Sequence, residues 1–232
     1  MKIALLGYGK MGKVIERIAV SRGHEIILRK DATHSYEGLA DADVAIDFST
    51  PEAAVGNITA ALESGIPVIS GTTGWLEQYH LVADLCTQKN GAFIYGSNFS
   101  LGVNLFFEIN LLVAKMMKRF PDYKISLQET HHTEKRDAPS GTAISLAKDI
   151  IENSDYSSWA LADAKSDEIH IDAKRIEHVP GTHIVKYNSD VDCIELTHTA
   201  HSRDGFALGA VIAAEWLQGK TGIFTMKDVL AI

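Results

Sequence analysis

Gly7-Tyr8-Gly9-Lys10-Met11-Gly12 constrains this chain more than any other feature. It is a complete G-x-G-x-x-G, with the β-branched and apolar run Lys2–Leu6 before it and the helical pattern Lys10–Arg22 after it. In a strand–turn–helix context such glycines build a dinucleotide site: Gly7 permits the tight turn, Gly9 lets the backbone approach a pyrophosphate, and Gly12 allows close helix–strand packing. The phosphate then rests on the free N–H groups that open the helix. Strand–helix units repeat downstream. Glu25–Leu28, Val44–Phe48, Pro67–Ser70 and Phe93–Tyr95 read as strands, and Thr50-Pro51 marks a helix start running to Ser64-Gly65. Leu76–Asn90 reads as one helix stopped by Gly91. The expected fold is α/β, an N-terminal Rossmann-type doubly wound parallel sheet plus a central mixed α+β domain.

The rhythm changes near residue 100. A long amphipathic helix is expected over Leu101–Phe120, a strand over Tyr123–Glu129, a polar stretch over His131–Ser140 and a helix from Thr142 to about Asn153. The acidic run Asp155–Asp172 reads as a surface excursion. Alternation around His183–Tyr187 and Cys193–Thr199 predicts antiparallel strands, and Ala207–Gln218 a last helix. The change of pattern places a domain boundary near residue 100.

Composition narrows the function. With 22 basic and 30 acidic residues the formal charge is −8, which argues against a nucleic-acid or membrane-surface binder of the bulk-basic kind. The oily stretch Phe99–Met117 is interrupted by Asn104, Glu108, Asn110 and Lys115, so no spanning helix is expected. The first residues meet glycine too soon for a signal peptide, and a cytoplasmic protein is expected. Cys86 and Cys193 have no metal or redox spacing and are expected to be reduced and buried.

At the end of the second strand stands Leu28-Arg29-Lys30-Asp31. A basic residue there accepts the 2′-phosphate of NADP, and an acidic one holds the ribose 2′-OH of NAD. Arg29 and Lys30 favour NADPH, whereas Asp31 keeps NADH open. Gly71-Thr72-Thr73-Gly74 and Gly96-Ser97-Asn98-Phe99 follow two further strands, where ligands of such sheets bind.

The densest polar cluster is Glu129-Thr130-His131-His132-Thr133-Glu134-Lys135-Arg136-Asp137-Ala138-Pro139-Ser140-Gly141-Thr142. A helix N-terminus can bind carboxylate while His or Lys transfers a proton, a combination suited to a small anionic substrate. Zinc fits His131 and His132 poorly, because neighbours on a strand point to opposite faces. A pair of metal ligands at His198 and His201 is a weaker reading than two polar strand-end residues, and no metal is expected. A Ser140 nucleophile served by Lys135 lacks a nucleophile elbow.

The run His131-His132-x-x-Lys135-x-Asp137-Ala138-Pro139-Ser140-Gly141-Thr142-Ala143 resembles the signature of the 4-hydroxy-tetrahydrodipicolinate reductase (dihydrodipicolinate reductase) family. The resemblance extends through Gly7–Gly12, Asp47-Phe48-Ser49, Gly71–Gly74, Ser97–Ser100, Thr197-His198, Ser202-Arg203 and Phe206-Ala207-x-Gly209-Ala210, nearly the whole chain. It implies NAD(P)H-dependent reduction of a cyclic dicarboxylate in diaminopimelate and lysine biosynthesis, by a homotetramer. It also implies a dinucleotide-binding domain at residues 1–99 and about 208–232, and a substrate-binding and oligomerisation domain at about 100–207. It further implies that His131 and Lys135 act in proton transfer and that His132, Gly141 and Thr142 bind substrate. Gly7, Tyr8, Gly9, Lys10, Met11, Gly12, Gly71, Thr72, Thr73, Gly96, Ser97, Asn98 and Phe99 would contact the cofactor, with Arg203 and Phe206 as weaker candidates at the nicotinamide edge. Two departures leave the choice of cofactor open: the glycine loop is one residue shorter than in some members, and Arg29-Lys30 replaces their Glu-Arg pair. A nucleotide sensor would keep the glycine loop but would not need Lys135 beside Ser140-Gly141-Thr142.

Overall fold

A computed structural model describes residues 1–232, which divide into two compact units, Met1–Asn104 with Asp204–Ile232, and Leu105–Arg203. The first unit is built on β1 (Lys2–Leu6), β2 (Glu25–Lys30), β3 (Val44–Asp47), β4 (Val68–Ser70), β5 (Ala92–Tyr95) and β11 (Gly222–Phe224). They form one sheet in the order β11-β5-β4-β3-β1-β2, every neighbouring pair parallel. β1 and β3 are apolar nearly throughout because both faces of a parallel sheet are covered. One face packs against α1 (Lys10–Ser21) and α6 (Asp204–Leu217), the other against α2 (Pro51–Glu63) and α3 (Tyr79–Gln88). α6 is lined by Ala207, Ala210, Ala213 and Ala214, all fully buried, so small side chains set its close approach to the sheet.

β1 leads to β2 on one side and β3 lies on the other, so the strand order reverses between β1 and β3. The crevice beyond their carboxyl ends is where doubly wound sheets bind ligands. Pro51 occupies the first position of α2 as its sequence suggests, but the Thr50 side chain makes no cap hydrogen bond. The single helix expected over Leu76–Asn90 instead begins as a 3-10 turn, Leu76–Gln78, before α3. Buried Trp75 pins its start by donating Nε1–H to the Thr72 carbonyl at 2.7 Å.

The second unit carries α4 (Leu101–Met117, most of it in this unit), β6 (Lys124–His131), α5 (Gly141–Glu152), β7 (Ser158–Ala160), β8 (Glu168–Arg175), β9 (Gly181–Asn188) and β10 (Cys193–Ala200). Its sheet runs β10-β9-β6-β8-β7; the β10–β9 and β9–β6 pairs are antiparallel, whereas β6–β8 and β8–β7 are parallel. Leu127, Ile171, Val185 and Tyr187 share one face and pack with Ala143, Leu146, Ala147 and Ile150 of α5.

The acidic run is not merely a surface excursion, since it holds β7 and the start of β8. Within it Ile169 and Ile171 are fully buried, and composition masked that short alternation. Cys86 is buried, but Cys193 is exposed because it opens the edge strand β10. The long helix stops at Met117 rather than Phe120, and the strand expected to end at Glu129 continues to His131. β11 and a short helix α7 (Met226–Leu230), which begins with a Thr225–Asp228 capping box, lie beyond the last expected helix.

Candidate active site

In the first unit the glycine loop leaves β1 at Gly7, whose φ is +110° and where a Cβ would lie 2.1 Å from the Phe48 carbonyl oxygen. At Gly12 a Cβ would lie 2.4 Å from the Gly7 oxygen, whereas at Gly9 it would meet nothing within 4 Å. Protein packing therefore dictates glycine at 7 and 12; Gly9 faces open space at the start of α1. Two clefts adjoin this loop. One, about 260 Å³, is lined by residues that include Gly7, Gly9, Lys30, Asp31 and Ser49. The other, about 370 Å³, brings Gly9, Lys10 and Met11 together with Gly71, Thr72 and Thr73. An open glycine at a helix start, flanked by two strand-end loops, fits the pyrophosphate of a dinucleotide.

Asp47 holds these loops together. Its fully buried carboxylate accepts from Ser49 Oγ at 2.6 Å, Asn57 Nδ2 at 2.8 Å, and Ser70 Oγ and Thr72 Oγ1 at 2.7 Å. Burial raises its pKa, an effect these four donors oppose. Phe99 lies against Phe48 with ring centroids 5.8 Å apart, and Gly96 N–H donates to the Ser70 carbonyl at 3.1 Å. Ser97 is exposed, and the Asn98 side chain accepts from Ser100 N–H at 2.9 Å, so Gly96–Phe99 borders this end of the sheet without lining either cleft.

Arg29 and Lys30 diverge. The Arg29 guanidinium is bound to Glu16, with Nε 3.1 Å from Oε1, and Glu16 also accepts from the Tyr8 hydroxyl. Arg29 and Tyr8 hold the Glu16 carboxyl below its ordinary range. Lys30 lines the smaller cleft, its Nζ 4.7 Å from the Tyr36 ring centroid. Asp31 accepts from Thr33 N–H at 2.8 Å and lies 2.6 Å from His34 Nδ1; these neighbours, His34 foremost, depress its pKa.

In the second unit sheet register assembles the polar cluster. Glu129 and His131 are two residues apart on central strand β6 and share a face. On β9, His183 lies opposite Glu129; on β8, Arg175 lies beside His131. Glu129 is fully buried. Both its oxygens accept from Ser140 N–H at 3.1 Å, and Oε1 also accepts from Arg175 Nη2 at 3.1 Å. His131 Nδ1 stands 3.3 Å from Oε2 without hydrogen-bond geometry, and the His131 and His183 rings meet edge to face at 5.0 Å. Burial pushes the Glu129 carboxyl up, but His131, Ser140 and Arg175 outweigh it and bring the pKa down to about 2.

Ser140 caps α5 by accepting from Ala143 N–H at 3.2 Å, and its Oγ lies 3.0 Å from His183 Nε2. Gly141 and Thr142 then open the helix, with N–H groups that have no intrahelical partner. The Lys135 ammonium is held by Asp137 at 2.8 and 2.9 Å. His132 follows the strand, half-buried, with Nδ1 unpaired. Arg203 is exposed and Phe206 lies in the first turn of α6; neither lines a cleft described above. Glu129, His131 and His183 have the make-up of a metal triad, but both Glu129 oxygens are committed to protein donors and the carboxylate is balanced by Arg175. Sequence reasoning left Glu129, Arg175 and His183 without roles. The signal that finds Glu129 is its two-residue spacing from His131; finding the other two requires the pairing of strands.

A dinucleotide-type crevice in one unit and a buried carboxylate–imidazole cluster in the other are features of an oxidoreductase. Family models described as dihydrodipicolinate reductase match this chain over residues 1–99 for the N-terminus and 102–230 for the C-terminus. A 4-hydroxy-tetrahydrodipicolinate reductase of Christiangramia forsetii is 56% identical over 100% of this chain and 98% of its own. One from Archaeoglobus fulgidus is 36% identical, covering 99% and 100%. A dipicolinate-bound dihydrodipicolinate reductase structure from Paenisporosarcina sp. TG-14 shares the fold, with TM-score 0.79 and 22% identity over 97% of each chain. The chain belongs to the dihydrodipicolinate reductase family.

His183 gives this site a pH signature. Burial first, then the neighbouring His131, hold its pKa down to about 3. An unfolded histidine titrates near pH 6.5, so between these values the unfolded chain binds the extra proton. Stability from this group is present above about pH 6.5 and is lost as pH falls toward 3, by up to about 1.4 kcal/mol per pH unit. His183→Gln should flatten the fall in urea-unfolding free energy between pH 6.5 and 4.5; an unchanged slope would place the acid sensitivity elsewhere.

Proposed function

We propose a residue-level division of labour for the reaction of this family, NAD(P)H-dependent reduction of 4-hydroxy-tetrahydrodipicolinate to tetrahydrodipicolinate in diaminopimelate and lysine biosynthesis. The cofactor supplies hydride when bound. In the first unit the Gly7–Gly12 loop and Gly71–Thr73 hold its phosphates, and Gly96–Phe99 borders the same end of the sheet. In the second unit the N–H groups of Gly141 and Thr142 and the Thr142 hydroxyl receive a substrate carboxylate, with His132 alongside. The 4-hydroxyl leaves as water to give a conjugated imine; as hydride adds to it, the Lys135 ammonium delivers a proton to the ring nitrogen, where negative charge develops, and His131 shares in proton transfer.

One observation carries this reading. The helix start that would take the carboxylate, the imidazole and the ammonium-bearing loop are tied to a single buried carboxylate, Glu129, directly or through Arg175. We place the protein in the cytoplasm on its biosynthetic role; no helix is long and apolar enough to cross a membrane. A homotetramer is proposed from the family resemblance, supported by an exposed apolar row on α4, Leu105, Ile109, Leu112 and Met116.

Lys135→Ala should lower kcat by roughly 10²–10⁴-fold, the range of general acid catalysis, with NADPH affinity near normal. Wild-type turnover would withdraw the assignment. For cofactor choice we propose dual use with an advantage for NADPH. Arg29 is engaged by Glu16, so Lys30 supplies the larger part of any 2′-phosphate contact. Lys30→Ala should raise KM for NADPH more than for NADH, and more than Arg29→Ala does, with the difference shrinking as salt rises. Equal losses for both cofactors would show that Lys30 supports the loop rather than reads the phosphate.

A further inference from the structure

Arg175, at the end of β8, reaches three separate groups of the site. Nη2 donates to Glu129 Oε1 at 3.1 Å and to the Asp137 carbonyl at 2.6 Å, and Nε donates to the Lys135 carbonyl at 3.3 Å. One planar cation therefore joins the backbone of the Lys135 segment, at two points, to the floor of the sheet. Beyond Arg175, the segment from His132 to Ser140 is tied down by few bonds. Lys135 N–H closes a turn onto the His132 carbonyl at 3.1 Å, and Ser140 N–H donates to Glu129. Asp137 holds the Lys135 ammonium but is itself exposed, so it fixes that ammonium only as firmly as the segment's backbone is fixed.

We propose that Arg175, held by buried Glu129, is a positioning residue that clamps the backbone at Lys135 and Asp137 and so fixes where the Lys135 ammonium stands. The inference rests on the reading of Lys135 as proton donor. The guanidinium suits this work because its fork offers several donors in fixed directions, which a lysine ammonium does not. Glu129 supplies the counter-charge that holds the fork in place. It also takes the Ser140 N–H, so the middle of the segment, through Arg175, and its far end are anchored to one carboxylate. A misplacement of about 1 Å at a reacting group can cost about 10²-fold in rate, so the clamp affects kcat although Arg175 itself need not touch substrate.

The test is a set of variants measured for kcat, KM and Tm. Arg175→Met should lower kcat about 10–100-fold, change KM for NADPH less than twofold, and lower Tm because Glu129 is left buried and unpaired. Arg175→Lys keeps the charge and should recover Tm more than kcat. Glu129→Gln with Arg175→Met removes both charges; Tm should return toward wild type while kcat stays at least about tenfold low. Recovery of kcat together with Tm in that double variant would reduce the pair to a structural ion pair and overturn the proposal. So would a kcat within twofold of wild type in Arg175→Met when Lys135→Ala is inactive. An active Lys135→Ala would instead overturn the proton-donor reading, and the clamp's purpose with it.

Discussion

The buried carboxylate of Glu129 is the interaction on which the arrangement of the second unit's polar cluster depends. An isolated charge at that depth would be untenable, so the sheet and the loop must supply compensation around it. They do so with a backbone N–H at the N-cap of α5, a guanidinium from β8 and the His131 imidazole of β6. Compensating the charge and assembling the site are the same act. Each group recruited to balance Glu129 either belongs to the proposed machinery or holds it.

The first unit solves a parallel problem with a different residue. Asp47, at the end of β3, is buried without a cationic partner and is satisfied by three hydroxyls and an amide. Those donors come from the loop after β3, from α2, and from the end of β4 and the loop after it, which are elements that shape the cleft beside Gly9. Both units thus set their loops with an acid at the carboxyl half of a central strand. The acid is balanced by neutral dipoles in the first unit and by Arg175 in the second.

Much of this was legible in the sequence for identifiable reasons. Glycine patterns report backbone demands that are local, so the loop at Gly7–Gly12 and the strand–helix alternation around it could be read directly. The string from His131 to Thr142, proposed here as the substrate site, is contiguous in sequence. Glu129, Arg175 and His183 stand up to 54 residues apart and become neighbours only through the β9-β6-β8 pairing, which no local pattern states. Asp155–Asp172 misled because acidic composition outweighed the alternation of Ile169 and Ile171 with polar residues. The engagement of Arg29 by Glu16 depends on a helix turning its carboxylate toward a strand end, again a tertiary fact.

We propose the segment from Glu129 to Ala143 as the place where the cyclic dicarboxylate binds. Amide hydrogen exchange with and without pyridine-2,6-dicarboxylate, a planar relative of the substrate, tests it most directly. Saturating dicarboxylate should slow exchange at Gly141 to Ala143 and across His132 to Ser140 by tenfold or more, and leave β1 and β3 unchanged. Protection confined to other segments, with Gly141–Ala143 exchanging as in the free protein, would contradict the account.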